Sequence, residues 1–478
     1  MERLGPLDAL FVNAEDGVSH MHIGSCAIFA GPPPLFAEVV GLIAGKLDLL
    51  PRYRQRLRRV PGGLTHPVWV DDANFQLDYH VRHSALPPPG GETELENLMG
   101  RLMSQELDRD RPLWEAWVVD GLSDDRWALI SKVHHCMVDG VAGTDMMAVL
   151  LDPARDAAVP TPASWSPARE PSDAELALGA AWELAGLPIR QLRAFAGNVR
   201  RPRAALRQVA DVVAGARSLA NYARPAPPVS IEGSIGPHRR YAAARCTLDD
   251  AKAIRAALGG SVNDVVLAVI AGAFRDVLST RGEAVDDTTL RTLVPVSTRA
   301  PGDASRNNQV SLMIAELPIA VSDPRERLTA VHAELARLKA AHQVEAGAAA
   351  TAIASFSPPV LQALAVRALT ATLRRMPQHN INTVTTNVAG PQYPLYALGR
   401  GMLEYLPFVP LSSGVRIGVA VLSYNGHLTF GITGDYDAAP DVHFMAERIE
   451  AQMTTLREHA DLAAPRRRAR KATSGRSR

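Results

Sequence analysis

The stretch Ser131-Lys132-Val133-His134-His135-Cys136-Met137-Val138-Asp139-Gly140 follows an apolar run, Trp127-Ala128-Leu129-Ile130, that reads as a buried strand. After it, Val141-Ala142-Gly143-Thr144-Asp145 leads into Met146-Met147-Ala148-Val149-Leu150-Leu151, which reads as a helix capped by Thr144 or Asp145. The pattern His-His-x-x-x-Asp-Gly therefore stands where a strand ends and a loop begins, a place where folds often display functional side chains. Neighbouring strand residues point to opposite faces, so only one of His134 and His135 faces a given cavity. An imidazole titrates near neutral pH and suits general-base chemistry. Asp139 follows at a distance that a turn folds back, to fix an imidazole tautomer or to lock the loop by pairing with an arginine. Gly140 permits a backbone conformation that a Cβ forbids. A satisfied core histidine is the plainer alternative, and a metal site is the other. Adjacent strand histidines do not easily ligate one ion, and no further His or Cys ligand spacing lies close in sequence.

Outward from this point, 478 residues predict two domains or more. Hydrophobic residues at 47% and charged residues at 21% are ordinary globular usage, enough for large cores. A net charge of +1 gives no global signal for nucleic acid. Cys26, Cys136 and Cys246 are too widely spaced for a disulfide framework or a zinc motif, which fits a reducing cytoplasm. The residues Met1 to Asp8 lack the apolar core of a signal peptide. Ala346 to Val366 is long and apolar enough to span a bilayer, but Pro358-Pro359 breaks it. It is read as two apolar helices.

Residues 1–155 alternate strands and helices. Met21 to Phe29, Pro67 to Val70, Leu77 to Val81 and Trp114 to Val119 are predicted strands; Phe36 to Leu47 and Leu95 to Leu107 are predicted helices. Gly121 to Asp125 turns the Trp114 strand back as a hairpin into the strand ending at His135. Residues 156–235 form a Pro-rich linker, Pro160 to Pro171, and a helical crossover, Ala174 to Ala223, that is basic from Arg190 to Arg217. Such a helix bridges two domains or lies on an anionic lipid surface. Residues 236–460 make a second α/β domain. Its predicted helices cover Asp249 to Leu258, Val262 to Phe274 (capped by Ser261 or Asn263), Asp323 to Ala341 and Asp441 to Leu456. Its predicted strands include Leu290 to Ser297, Gln309 to Leu317, Asn382 to Asn387, and a hairpin about Asn425-Gly426. Residues 461–478 read as a basic disordered tail.

There is no Gly-x-Ser-x-Gly elbow, no Walker loop and no Gly-x-Gly-x-x-Gly. His134 to Gly140 instead resembles the motif of acyltransferases related to chloramphenicol acetyltransferase and peptide-synthetase condensation domains. The chain more closely resembles the bacterial wax ester synthase/acyl-coenzyme A:diacylglycerol acyltransferase family, over about residues 1 to 460. Leu7-Asp8-Ala9-Leu10-Phe11 with Met21-His22-Ile23-Gly24 matches its opening, and Pro112-Leu113-Trp114-Glu115 matches a motif before the histidines. Asn263-Asp264-Val265-Val266-Leu267-Ala268, Val294-Pro295-Val296-Ser297 and Thr386-Asn387-Val388-Ala389-Gly390-Pro391 match motifs of the second half. Two departures are Ala389 where Pro is expected and Asn307-Asn308 where Gly-Asn is expected.

The resemblance implies two chloramphenicol-acetyltransferase-like α/β domains, each a mixed open sheet flanked by helices, joined by a helical crossover with a tunnel at their interface. It implies direct acyl transfer from acyl-coenzyme A, a co-substrate, to diacylglycerol or a fatty alcohol, with no cofactor and no metal. His135 would be the general base, and Asp139 would be structural, paired with Arg54 or Arg56. Asn263, at a helix start, is the expected oxyanion donor from the second domain; a plain N-cap is the alternative. No protein partner and no nucleic acid are expected. The location expected is cytoplasmic, peripheral to the inner face of the membrane or to lipid droplets. The competing function is a weak or inactive relative that binds lipid or acyl-coenzyme A.

Overall fold

The computed structural model describes residues 2–63, 65–137, 146–185, 224–297, 310–340 and 380–474. The first part of the chain gives β1 (Glu2–Arg3), α1 (Pro6–Ala14), β2 (His22–Ala30), α2 (Phe36–Lys46), β3 (Gln55–Arg58), β4 (Val68–Asp71), α3 (Leu77–His80), β5 (Val81–Ala85), α4 (Glu92–Met103), β6 (Trp114–Leu122), β7 (Arg126–His134), α5 (Met146–Leu150) and α6 (Asp173–Ala185). From residue 224 come β8 (Glu232–Gly233), β9 (Arg239–Thr247), α7 (Leu248–Leu258), α8 (Val262–Thr280), β10 (Leu290–Ser297), β11 (Val310–Leu317), α9 (Pro324–Ala340), β12 (Thr383–Ala389), β13 (Tyr396–Ala397), β14 (Arg400–Phe408), β15 (Gly414–Val415), β16 (Ile417–Tyr424), β17 (His427–Asp435) and α10 (Val442–Ser474).

Two six-stranded mixed sheets carry this arrangement, as the double α/β reading expects. The first has the order β13-β14-β2-β7-β6-β5, with β5 parallel to β6 and its other pairs antiparallel. β7 lies between β2 and β6. Its residues alternate between two cores: Trp127, Leu129 and Val133 pack with α2, whereas Ala128 and Ile130 pack with α4. Burial on both faces explains why the run has no polar alternation. The second sheet has the order β11-β10-β12-β16-β17-β9. Its core is α8, buried from Asp264 through Phe274, with α7, α9 and α10 contributing Ile254, Leu335 and Ile449. The β16–β17 turn is Asn425-Gly426, both in the left-handed region at φ 44° and 84°, as a two-residue hairpin requires.

The sheets are not divided where the chain is. β14, from the second half, pairs with β2, Phe408 opposite Gly24 and Leu406 opposite Cys26. Its carbonyl at Pro407 accepts the Tyr241 hydroxyl at 2.8 Å, and a Cβ on Gly431 would stand 1.8 Å from that oxygen. α4 crosses the same seam and covers the edge strand β9: Glu96 accepts the Ala243 N–H at 2.8 Å, and Gly100 lets the Arg239 carbonyl approach. Leu98, Met99, Tyr241, Ala243, Leu406 and Phe408 fill the space between.

Several expectations need correction. Leu77 to His80 is a helical turn, not a strand; only Val81 onward pairs with β6. The Gln76 carbonyl accepts the Tyr79 N–H, and His80 turns inward to stack on Trp114 with ring centroids 4.6 Å apart. Pro160 to Pro171 is irregular yet pinned: Glu170 holds Arg56 and Arg58, and Asp71 accepts the Ala168 N–H. The last helix continues to Ser474, through residues expected to be disordered. The expected strand through His135 ends one residue earlier, at His134. Ala346 to Val366, Arg190 to Arg217 and Asn307-Asn308 lie outside the described residues. Among the described residues no single helix is long and apolar enough to cross a membrane; α7 and α8 pass that test only as a pair bent by 100°, and α8 is the second core.

Candidate active site

β7 delivers the histidine pair between two stretches that are distant in sequence. The His134 N–H donates to the Leu113 carbonyl at 2.9 Å, on the β6 side, and the His135 N–H donates to the Met21 carbonyl at 2.9 Å, on the β2 side. Successive amides of a central antiparallel strand alternate between neighbours in this way. The Pro112-Leu113-Trp114 and Met21-His22 motifs thus flank the histidines in space. His135 then begins a 3-10 turn, His135–Met137, that takes the chain out of the sheet.

The two imidazoles have different surroundings. His134 is buried. Its Nδ1 accepts the Cys136 N–H at 3.1 Å, so its proton sits on Nε2, which faces Glu15 Oε2 at 3.6 Å. Glu15 is itself buried and is held by Arg109 Nε at 2.9 Å. Burial raises the Glu15 carboxyl, but His134 and Arg109 outweigh it and bring its pKa to about 2. His135 keeps part of its surface open. Its ring stacks on Phe11 of α1, centroids 3.9 Å apart and planes at 17°. Loss of water lowers its pKa to about 4, with its own backbone carbonyl acting upward and His134 downward. Nδ1 is buried and makes no hydrogen bond of good geometry. His135 is therefore a neutral imidazole at physiological pH, its ring held against Phe11 by stacking.

Asp139 and Gly140 lie outside the described residues, as do Thr144 and Asp145. The arginines expected near Asp139 have partners of their own: Arg54 pairs with Asp48 at 2.5 Å and Arg56 with Glu170 at 2.8 Å. Asn263 is the second residue of α8. The helix is capped by Ser261, whose Oγ accepts the Asp264 N–H at 3.2 Å while Asp264 accepts the Ser261 N–H at 2.8 Å. This settles the choice of cap and removes that role from Asn263. Its Oδ1 instead accepts from Asn387 Nδ2 at 3.0 Å. No hydrogen bond links Asn263 to either histidine among the described residues. Those residues also contain no cluster of three or more His, Cys, Asp or Glu suited to a metal ion.

Four participants in this arrangement were not assigned roles from the sequence: Phe11, Glu15, Arg109 and Asn387. Phe11 and Asn387 stand in stretches matched to family motifs. Glu15 and Arg109 carry no local pattern.

Comparison with known proteins agrees with the geometry. Residues 4–266 match the model of the wax ester synthase/diacylglycerol acyltransferase catalytic domain, and residues 307–457 match its C-terminal domain. The probable diacylglycerol O-acyltransferase tgs1 of Mycobacterium tuberculosis is 39% identical over 466 residues, 95% of this chain and 96% of that protein. A second M. tuberculosis protein, the putative diacylglycerol O-acyltransferase Rv3740c, is 32% identical over 95% of this chain and 99% of its own length. The solved wax ester synthase/diacylglycerol acyltransferase from Marinobacter aquaeolei VT8 superposes with a TM-score of 0.70 at 26% identity, over 96% of this chain and all of that one. A condensation domain of the calcium-dependent antibiotic synthetase, at 16% identity and a TM-score of 0.58, shares the fold. The chain belongs to the wax ester synthase/diacylglycerol acyltransferase family and is an acyl-coenzyme A-dependent acyltransferase.

Proposed function

We propose that the protein transfers a long-chain acyl group from acyl-coenzyme A directly to the hydroxyl of diacylglycerol, a long-chain alcohol or both, giving triacylglycerol or wax ester. The observation that carries this reading is His135: a neutral, desolvated imidazole just past the end of β7, stacked on Phe11 and with Nδ1 buried. As the alcohol oxygen attacks the thioester carbonyl carbon, His135 Nε2 takes the hydroxyl proton. The tetrahedral intermediate then collapses, the carbon–sulfur bond breaks, and the proton passes from His135 to the departing sulfur. Positioned base catalysis of this kind contributes roughly 10²–10⁴-fold. An imidazole with a pKa near 4 is a weak proton acceptor in the free enzyme, so holding the two substrates together must supply a large further share of the rate. Asn263, with its carbonyl end occupied by Asn387, offers its NH2 group to the oxyanion.

The names of the relatives support a diacylglycerol acceptor, and the Marinobacter structure supports long-chain alcohols as well. Substrates of this kind reside in bilayers and lipid droplets, so the site of action is the cytoplasmic surface of one or the other, reached by peripheral attachment. The test is thiol release from palmitoyl-coenzyme A by the purified protein, with diacylglycerol and hexadecanol as acceptors and the ester products identified. Acceptor-dependent release supports the reading. Tight palmitoyl-coenzyme A binding with no release on any acceptor overturns it.

A further inference from the structure

The transfer step uses His135 and leaves the pairing of buried Glu15 with the exposed Arg109 unexplained. An ion pair with one exposed partner contributes little to stability. Glu15 is nevertheless the point at which the links to the His135 turn meet. Its Oε2 faces His134 Nε2 at 3.6 Å, and Arg109 holds the same oxygen. Its Oε1 accepts the Met21 N–H at 3.4 Å, and the Met21 carbonyl in turn accepts the His135 N–H at 2.9 Å. Its own N–H closes α1 on the Phe11 carbonyl at 3.1 Å, and the Phe11 ring covers His135. His134 completes the set, because its Nδ1 accepts from Cys136 within the turn that carries His135.

We propose that Glu15 is a positioning residue for His135: its arginine-held carboxylate receives the Nε2–H of His134 and ties that ring, the Met21 backbone and α1 into one clamp that sets the His135 imidazole. This rests on His135 being the base. The Cys136 amide leaves His134 with its proton on Nε2, and that proton needs an acceptor in a buried site. Glu15 supplies one at 3.6 Å from that nitrogen. When the clamp is loosened, the backbone bonds of the turn open more readily and the imidazole loses its defined direction. A displacement of about 1 Å at a reacting group costs on the order of a hundredfold in rate.

The experiment compares Glu15→Ala, Glu15→Gln and Arg109→Lys in the full chain. It measures kcat, KM for palmitoyl-coenzyme A, Tm, and amide hydrogen exchange over the peptide containing 133–137. Glu15→Ala should lower kcat by about a hundredfold with KM changed less than about twofold, since the lost interaction acts on geometry rather than binding. Glu15→Gln keeps an oxygen for the His134 proton and for Met21, so it should recover about tenfold of that loss at a similar Tm. Exchange over 133–137 should rise in Glu15→Ala and return in Glu15→Gln. The clamp is overturned if Glu15→Ala keeps kcat within about twofold of wild type, or if Gln does no better than Ala while kcat and Tm fall together. Should the wild-type protein show no acyl transfer, the functional reading fails by itself. Unchanged exchange over 133–137 in Glu15→Ala would then still refute the clamp.

Discussion

The two halves of the molecule differ in the groups that they offer to the proposed transfer. In the first half, ionisable groups at and beside the end of the central strand have pKa values pushed far from ordinary: His135 down to about 4, Glu15 after α1 down to about 2, and Lys132 down to about 8 through burial. The second half contributes an amide pair, Asn263 and Asn387, at the start of a helix and the end of a strand. Amides neither take up nor release protons near neutrality. In the proposed transfer, His135 moves the proton and the Asn263 amide offers neutral hydrogen bonding. A second ionisable group facing the reacting atoms would compete for the hydroxyl proton or repel the oxyanion.

Substitutions that break this division should differ in size. His135→Ala removes the base and should lower kcat by about a thousandfold, with the Tm and palmitoyl-coenzyme A binding retained. His134→Ala should cost less, because that ring acts through the turn. Steady-state thiol release read beside a thermal melt checks both. Asn263→Asp places a charge where a neutral donor is proposed and should cost about a hundredfold in kcat. The stability of this variant should be unaffected, since Ser261 and not Asn263 caps α8. A stable, fully active Asn263→Asp would remove the second half from the chemistry. Asn387→Ala leaves the donor present but unheld, and about a tenfold loss in kcat is expected.

The smallest effect concerns the seam itself. Burial, opposed by the Ala243 N–H and Arg245 and assisted by Glu92, raises the Glu96 carboxyl to about 7; His443 Nδ1 lies 3.4 Å from it. Its folded value lies above the ordinary 4.5. The stability linked to the protonated form is therefore full below the unfolded value and is lost as pH rises through about 7. The difference amounts to at most on the order of 3 kcal/mol. Glu96→Gln keeps an acceptor for Ala243 without a charge. It should raise Tm at pH 8 by about 2 °C or more and leave Tm near pH 5 unchanged. Equal melting curves for the two proteins at both pH values would show that Glu96 is not protonated in the folded state.

Much of this arrangement is legible locally. Trp127 to Ile130 reads as a buried strand because its run is apolar on both faces, and Asn425-Gly426 marks the β16–β17 hairpin because two successive residues must adopt positive φ. The histidine pair at a strand end follows from the same reading. What was not legible depends on contacts between distant segments. Leu77 to Val81 has the alternation of a strand, but the stacking of His80 on Trp114 favours a turn. Arg400–Phe408 belongs by sequence to the second half and by hydrogen bonding to the first sheet, a choice made by the free edge of β2. Glu15 follows a short helix and looks like any polar loop residue until folding brings Arg109 and His134 against it. Asn263 was a candidate cap because it stands in the first turn; the Ser261–Asp264 reciprocal pair, two residues removed, does that work instead.

The most direct test of His135 as a neutral base is the pH dependence of kcat/KM for acyl transfer by the wild-type protein, held at neutral pH and diluted into each assay buffer. The base is active only when unprotonated, and burial lowers its pKa to about 4. The rate should therefore stay level from about pH 8 down to about pH 5 and reach half its plateau near pH 4. A half-maximal rate near 6.5, the value of an ordinary solvated imidazole, would contradict the account.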